Sequence, residues 1–341
     1  MKLPSLSIGG LDIATPLVLA PMAGVSNHAL RVLCKRLGGV GLVSSEMFSA
    51  YAIRYRDPKT PGMVDWTCEE RPVSCQLFGG DPETCAIAAV YLQEQGADII
   101  DINFGCPVPK VAKSGSGASI LKDLTKARAI IRHVRSVCRV PLTVKTRLGW
   151  YEGEPTVFEF ARIAADCGVD ALTVHGRYAR QNYSGRADWD MIARVRDMLP
   201  ARVPLIANGD VSDGPGLERI LSVTGCQGVM IGRAAMGSPW IFRDLMQYAG
   251  TGVMPPPLSA GEILQIARIH NRILRDIHGD RRAAKEMRGN IVHYIKGFDN
   301  SAKLRNAIMQ TKSTEEIEDI LNEAGGVGQS GVFHEKQDLQ G

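Results

Sequence analysis

Cys106 stands in the run Asp101-Ile-Asn-Phe-Gly-Cys-Pro107. An apolar strand pattern over 98–104 ends there in a Gly-Cys-Pro turn, and a loop of small residues, Lys113-Ser-Gly-Ser-Gly-Ala-Ser119, follows. A thiol just past a strand end, beside a loop able to move, is placed for proton transfer. The competing reading is a packed, inert thiol, because free cysteine is among the most buried residue types. Two other sets of residues close later apolar runs: Asn208-Gly209-Asp210 and Gly232-Arg233. Glycine lets the backbone approach an anion closely, and arginine holds phosphate through two parallel hydrogen bonds. Together they predict a phosphate site; the alternative is two tight turns with an arginine on the surface.

A phosphate site of this kind would suit flavin mononucleotide (FMN) if the ring also had partners. Gln76 offers both a donor and an acceptor to the ring edge. Lys145 offers the positive charge that a reduced, anionic flavin needs. Pro21, Met22 and Ala23 offer a flat, partly apolar seat. Lys145 also fits a Schiff-base lysine of a barrel aldolase, or a plain ion-pair partner.

These residues share one position in the pattern of the chain. Eight short apolar, β-rich runs occur at 17–22, 41–47, 73–78, 99–104, 142–146, 171–175, 204–208 and 228–231. Amphipathic segments lie between them, clearest at 29–37, 82–95, 124–137 and 157–167. Eight alternating strand–helix units predict an α/β fold, a (β/α)8 TIM barrel; an open doubly wound sheet would need no eighth unit. In a barrel the C-terminal strand ends face the active site. Those ends carry Pro21–Ala23, Gln76, Asn103–Cys106, Lys145–Arg147, His175–Arg177, Asn208–Asp210 and Gly232–Arg233.

The pattern changes near residue 250. Gly250-Thr-Gly-Val-Met-Pro-Pro-Pro257 reads as a linker, since three prolines end any helix. Helical periodicity follows at 261–278, 282–298 and 314–322. The expected organisation is a catalytic barrel over 1–249, a small all-helical domain over 250–324 and a disordered tail over 325–341. Between Arg268 and Arg305 stand ten basic and four acidic residues, although the whole chain of 341 residues carries a net charge of only +4. Arg268, Arg272 and Arg275 share one helical face, and Arg281, Lys285 and Arg288 repeat that spacing on the next helix. A solvated charged face is the usual meaning of such runs. Two basic stripes also suit contact with a nucleic-acid backbone, through Arg272, Arg275, Lys285 and Arg288.

Composition is ordinary for a globular protein, 45% hydrophobic and 22% charged. The eight cysteines include no Cys-x-x-Cys pair, which argues against a four-thiolate zinc site; no metal is expected. No apolar run approaches the roughly 20 residues of a membrane span, and the first residues lack the apolar stretch of a signal peptide. A reducing cytoplasm is the expected compartment.

The motifs in their order resemble one family. Ala20-Pro-Met-Ala-Gly-Val-Ser26, Ser45-Glu-Met47, Asn103-Phe-Gly-Cys-Pro107, Val144-Lys-Thr-Arg-Leu-Gly-Trp150, Thr173-Val-His-Gly-Arg177, Ile206-Ala-Asn-Gly-Asp210 and Met230-Ile-Gly-Arg-Ala-Ala235 are similar to those of the tRNA-dihydrouridine synthases. The match runs from about 16 to 244 and is looser in the helical tail. The run Ile231-Gly-Arg-Ala-Ala-Met-Gly-Ser-Pro-Trp-Ile-Phe-Arg243 resembles the bacterial class B subgroup most. The resemblance implies reduction of the C5–C6 double bond of a tRNA uridine in the D-loop. NADPH would reduce bound FMN, hydride would pass from flavin N5 to C6, and Cys106 would protonate C5. It implies flavin contacts for Pro21, Met22, Ala23, Gln76, Lys145, His175, Asn208, Gly209, Asp210, Gly232 and Arg233. Asn103, Arg147 and Arg177 are expected at the substrate. The chain departs from the family at Pro109, where a basic residue is usual, and in its glycine-rich 114–117 segment; Lys110 and Lys113 stand nearby for a phosphate contact. Two other functions fit parts of the pattern: an FMN-dependent barrel reductase of a small alkene or pyrimidine, which would not need the basic tail, and a non-catalytic RNA-binding protein.

Overall fold

The computed structural model describes residues 1–58 and 60–325. The expected tail therefore lies, Gly325 apart, outside the described residues. The chain divides into two compact units, residues 1–255 and residues from 256 onward.

The first unit opens with a hairpin, β1 (Leu6–Ile8) paired antiparallel to β2 (Leu11–Ile13). Eight parallel strands then close into a barrel: β3 (Leu17–Leu19), β4 (Leu42–Ser49), β5 (Val73–Phe78), β6 (Ile99–Phe104), β7 (Leu142–Arg147), β8 (Ala171–His175), β9 (Leu205–Asn208) and β10 (Gly228–Ile231). Each pairs with its sequence neighbours, and β10 returns to β3 with Val229 opposite Leu17. All eight expected runs are strands, so the TIM barrel stands. The helices between them are α1 (His28–Leu37), α2 (Ala50–Arg54), α3 (Pro82–Glu94), α4 (Pro109–Lys113), α5 (Leu124–Val137), α6 (Val157–Asp166), α7 (Trp189–Met198), α8 (Gly214–Thr224) and α9 (Ile241–Thr251).

Local chemistry explains the element boundaries. Asp81 accepts from Thr84 N (2.8 Å) and Pro82 takes the first turn of α3; Asp188 and Asp213 cap α7 and α8 in the same way, at 2.9 and 2.7 Å. Such caps satisfy N–H groups that a helix start leaves orphaned. On β6 the residues alternating with Asp101 and Asn103 are apolar and buried, as Phe104 meets Phe160 on α6 edge to face at 5.2 Å.

Two features differ from the expectation. The hairpin was not anticipated. Leu6, Ile8 and Ile13 join Val18, Leu42, Ile99, Ala171, Ile206 and Met230 in one apolar cluster, which plugs the barrel at the N-terminal strand ends. The small-residue loop is also not open coil. Residues 109–113 form α4, and Gly117–Lys122 wind into a 3-10 turn with Ser116, Gly117 and Ala118 buried.

The second unit holds α10 (Ala260–His278), α11 (Asp280–Tyr294), α12 (Ser301–Gln310) and α13 (Thr314–Ala324). Ser259 and Glu262 form a capping box at the start of α10. Leu264, Ile266, Ala267 and Leu274 of α10 are buried, as are Met287, Ile291, Ile308, Ile317 and Leu321. His270 Nδ1 meets the Tyr294 hydroxyl at 3.0 Å within this core.

Candidate active site

A chain of buried polar side chains runs along β5, β6 and β7 from within the barrel to the C-terminal end of β6. Thr143 Oγ1 on β7 donates to Asp101 Oδ1 on β6 (2.6 Å), and Gln76 Nε2 on β5 donates to Asp101 Oδ2 (2.6 Å). Asn103 Nδ2 donates to Gln76 Oε1 (2.7 Å). The Asn103 side-chain oxygen accepts from the backbone N–H groups of Gly105 (3.1 Å) and Cys106 (2.8 Å). Parallel pairing sets Gln76 opposite Asp101 and Asn103 opposite Lys145, so three neighbouring strands build the chain. Each polar group is paired, as burial requires. Burial pushes the Asp101 carboxyl up, against the opposing hydrogen bonds from Gln76 and Thr143 and the Lys145 charge.

Cys106 follows directly. Its thiol is half-buried, and that burial raises it above the usual thiol range, against the opposing effects of the Val108 backbone, Arg147 and Lys145. The thiol is therefore protonated at neutral pH. The turn beyond it needs glycine at 117: φ is +60°, and a Cβ there would lie 2.7 Å from the Cys106 carbonyl oxygen. That carbonyl accepts from Ala118 N at 3.0 Å.

Lys145 and Arg147 leave β7 on the same edge. Lys145 Nζ donates to Asn208 Oδ1 (3.1 Å), and Asn208 Nδ2 donates to the Met230 carbonyl (2.8 Å). Burial first, and then Arg147, bring Lys145 down to about 8. Arg147 is buried. Its Nε donates to the Gly105 carbonyl (2.9 Å) and its Nη1 to the carbonyls of Tyr178 (3.0 Å) and Asn182 (2.9 Å). It thus ties the Cys106 turn to the loop after β8. Burial, chiefly, brings Arg147 to about 10, so it stays charged.

Arg177 has a positioning place. It is 1% exposed and donates to the carbonyls of Ser184 (3.2 Å) and Gly185 (2.7 Å) and to Asp210 (2.7 Å). Its Nη1 also faces His175 Nε2 at 3.3 Å. Burial and four surrounding cations drive His175 far below its ordinary value. It is a neutral ring whose Nε2 accepts from Arg177, which leaves the proton on Nδ1. Asp210 anchors two arginines, Arg177 at 2.7 Å and Arg233 at 2.9 Å, and accepts from Ala187 N at 2.7 Å. Partial burial works to raise its carboxyl, but those bonds and charges outweigh it and hold it below the usual range. Gly209 is packed so tightly that a Cβ would meet Ala187 at 2.6 Å.

The donor set fits a flavin mononucleotide. Gln76 keeps one amide hydrogen and one lone pair beyond its two neighbours. Lys145 supplies a half-buried cation, and Arg233 is an exposed cation after β10. After β10 the chain makes only a three-residue 3-10 turn, Arg233–Ala235, so a phosphate would rely on Arg233 and nearby backbone groups. Met22 and Pro21 are half-buried and Ala23 is exposed. Among the described residues no group of three or more His, Cys, Asp or Glu could hold a metal.

Sequence reasoning missed Tyr183. It is 57% exposed on the loop after β8, with its ring 4.5 Å from the Arg233 guanidinium, 5.7 Å from that of Arg147 and 6.3 Å from the His175 ring. Its signal was faint, a lone aromatic in the polar run Arg180–Arg186. The bridges from Asp101 and Thr143 were also missed, because they depend on register.

The basic side chains of the second unit are placed unevenly. Lys285 and Arg275 are exposed, the latter 3.6 Å from Asp276. Arg272 is bonded to Glu318 on α13, and Arg288 donates to the Thr311 carbonyl.

Comparison with known proteins gives the family and the fold. A family model described as Dihydrouridine synthase (Dus) matches residues 18–325. A Mycobacterium tuberculosis protein named "Probable tRNA-dihydrouridine synthase" is 38% identical over 95% of this chain and 85% of its own. The proteins named tRNA-dihydrouridine synthase B from Xanthomonas campestris and Escherichia coli K12 are 37% and 36% identical, over 91% and 85% of this chain and 92% and 89% of theirs. Two solved structures share the fold alone. Histamine dehydrogenase from Rhizobium sp. 4-9 is 13% identical with TM-score 0.56, covering 80% of this chain and 50% of that one. 2-Naphthoyl-CoA reductase is 11% identical with TM-score 0.56, covering 71% and 51%. With its motifs at the barrel strand ends and most of its length aligned to these relatives, the chain belongs to the dihydrouridine synthase family and is similar to its B-type members.

Proposed function

We propose that this protein is an oxidoreductase that reduces the C5–C6 double bond of a uridine in the D-loop of tRNA, with FMN as its bound cofactor and NADPH as the electron source. The observation that carries this reading is a free, half-buried thiol, Cys106, just past the end of β6, in a turn held by Asn103 at 2.8 Å and by Arg147 through the Gly105 carbonyl at 2.9 Å. When bound, FMN would supply the hydride that reaches C6 of the uracil.

The chain's own residues do the rest. Negative charge develops at C5 and O4 as C6 is reduced. Lys145 and Arg147 stabilise it from a site poor in water, where fixed charges act strongly. The Cys106 thiol gives its proton to C5 and regains one from solvent through its exposed side. Asn103 holds the Cys106 turn. One of its N–H groups rests on Met47 Sδ at 3.1 Å, a weak acceptor that a uracil carbonyl would replace with profit. Tyr183 offers a ring face beside Arg233 for a base drawn out of its stack.

Flipping a base out of folded RNA costs a few kcal/mol, and phosphate contacts elsewhere offset it. The exposed basic groups of α10 and α11, Arg275 and Lys285 first, are suited to that task. Cytoplasm is the compartment we assign, where thiols such as the eight free cysteines stay reduced. Among the described residues no helix is long and apolar enough to cross a membrane.

The test is direct. Protein reconstituted with FMN is given NADPH and tRNA transcribed without modification, and nucleosides are read by mass spectrometry. Dihydrouridine is the expected product. Flavin binding without any product from tRNA, but with reduction of free pyrimidines, would favour the small-substrate reductase instead.

A further inference from the structure

Beneath the loop 21–26 lies a cluster of buried charges outside the strand-end chain. Arg31 on α1 is 1% exposed and Glu70 is 0% exposed. Arg31 Nε donates to Glu70 Oε2 (2.7 Å), and His28 Nδ1 meets Glu70 Oε1 (2.6 Å). Thr67 N also donates to Glu70 Oε1 at 2.9 Å. The other end of the guanidinium grips two loops. Nη1 donates to the Ser26 carbonyl (2.9 Å), and Nη2 donates to the Asp65 carbonyl (3.1 Å) and to Asp65 Oδ1 (3.2 Å). Ser26 passes this grip onward. Its hydroxyl accepts from Met22 N (2.9 Å) and donates to the Met22 carbonyl (3.2 Å), while Ser26 N donates to the same carbonyl at 2.9 Å. On the other side, Gly24 N donates to Glu46 on β4.

A barrel fold does not need this cluster. Desolvating a carboxylate and a guanidinium is expensive, and an apolar packing of equal volume is often as stable. The expense falls where loop 21–26 leaves β3, at the seat read for the flavin. A planar guanidinium with a fork of donors fixes geometry more tightly than apolar packing does.

We propose that Arg31 and Glu70, supported by His28, are positioning residues that set the conformation of the Pro21–Ser26 loop and thereby the affinity of the barrel mouth for its flavin. The inference rests on the flavin reading above. None of the three needs to touch the cofactor; they act through Ser26 and Met22.

The test is FMN affinity, measured by quenching of flavin fluorescence as apoprotein is titrated, together with the visible circular dichroism of the bound flavin. Glu70→Gln keeps the shape and removes the charge. Arg31→Lys keeps the charge and removes the fork. Ser26→Ala removes the two hydroxyl bonds to Met22, keeps the backbone bond, and leaves the buried charges intact. Phe160→Leu loosens barrel–helix packing away from the loop and serves as a control. The expected result is an FMN Kd raised about tenfold or more in the first two and several-fold in Ser26→Ala, with an altered dichroism spectrum and an unchanged Kd in the control. Should Glu70→Gln and Arg31→Lys fail to fold, Ser26→Ala decides alone. A Kd within about twofold of the parent in Ser26→Ala, or an equal rise in Phe160→Leu, would overturn the proposal. A parent protein that binds no FMN at all sinks the flavin reading itself, which is a different outcome.

Discussion

The backbone N–H of Cys106 donates to the side-chain oxygen of Asn103 at 2.8 Å, so the proposed acid is held by the last residue but one of its own strand. The same asparagine is bonded to Gln76, which is bonded to Asp101. Removal of the Asn103 side chain therefore frees the Cys106 turn and leaves Gln76 Oε1 without that donor. We expect Asn103→Ala to lower the single-turnover rate of dihydrouridine formation about 10- to 100-fold, with the apoprotein still folded. Parental rates would show that the turn needs no such support.

Cys106→Ala separates the two halves of the reaction. Flavin binding and NADPH oxidation should persist, because neither needs the thiol. Dihydrouridine formation from pre-reduced enzyme should fall about 10²- to 10⁴-fold, the usual contribution of a positioned acid. Full product formation would assign the proton to another group.

Lys145 sets a pH limit. Burial brings it to about 8, so its charge is present below that pH and lost above it. Cys106 moves the other way and keeps its proton through the same range. The rate of uracil reduction should fall as pH rises through about 8. Lys145→Arg, which stays charged, should lose that limb of the profile. A parental profile flat to pH 9.5 would remove the lysine from the charge-stabilising role.

The RNA contacts can be tested away from the chemistry. Arg272 and Arg288 are engaged within their own unit, so Arg275 and Lys285 are the cleaner targets. Reversing both to Glu should weaken tRNA binding about tenfold or more at low salt and flatten the dependence of log K on log salt by roughly one to two. FMN content should be unaffected. Binding that keeps its parental salt slope would place the RNA elsewhere.

Gly117 offers a stability test. Its φ of +60° and its 2.7 Å clearance from the Cys106 carbonyl leave no room for a methyl group. Gly117→Ala should cost about 1–3 kcal/mol in denaturant unfolding and slow the reaction, since the Cys106 carbonyl must shift.

Much of this was legible in the chain. Eight strands could be read because each is a short β-rich run stopped by Gly, Pro or a polar residue, and the strand-end rule then located Cys106, Lys145 and Gln76. The hairpin was not read, because three-residue strands give too little alternation to register. Helix α12 was missed because it is short: Leu304, Ala307 and Ile308 make barely one turn of apolar spacing, and Ile308 alone among them is buried. Arg147 and Arg177 were legible as cations near strand ends, but their burial and their bonds to backbone carbonyls were not. A sequence shows that an arginine stands at a strand end. Which way its side chain turns depends on carbonyls contributed by a loop some 30 residues away, such as those of Tyr178 and Asn182 for Arg147.

The β1–β2 hairpin stoppers the foot of the barrel with Leu6, Ile8 and Ile13. Apolar side chains offer a proton carrier no hydrogen-bond partner, so solvent protons bound for Asp101 and its partners are expected to come from the opposite rim, past Cys106 and Lys145. Deuterium uptake deep inside should consequently be throttled by whatever molecule sits across that rim, making slow exchange at the centre a gauge of occupancy at the top.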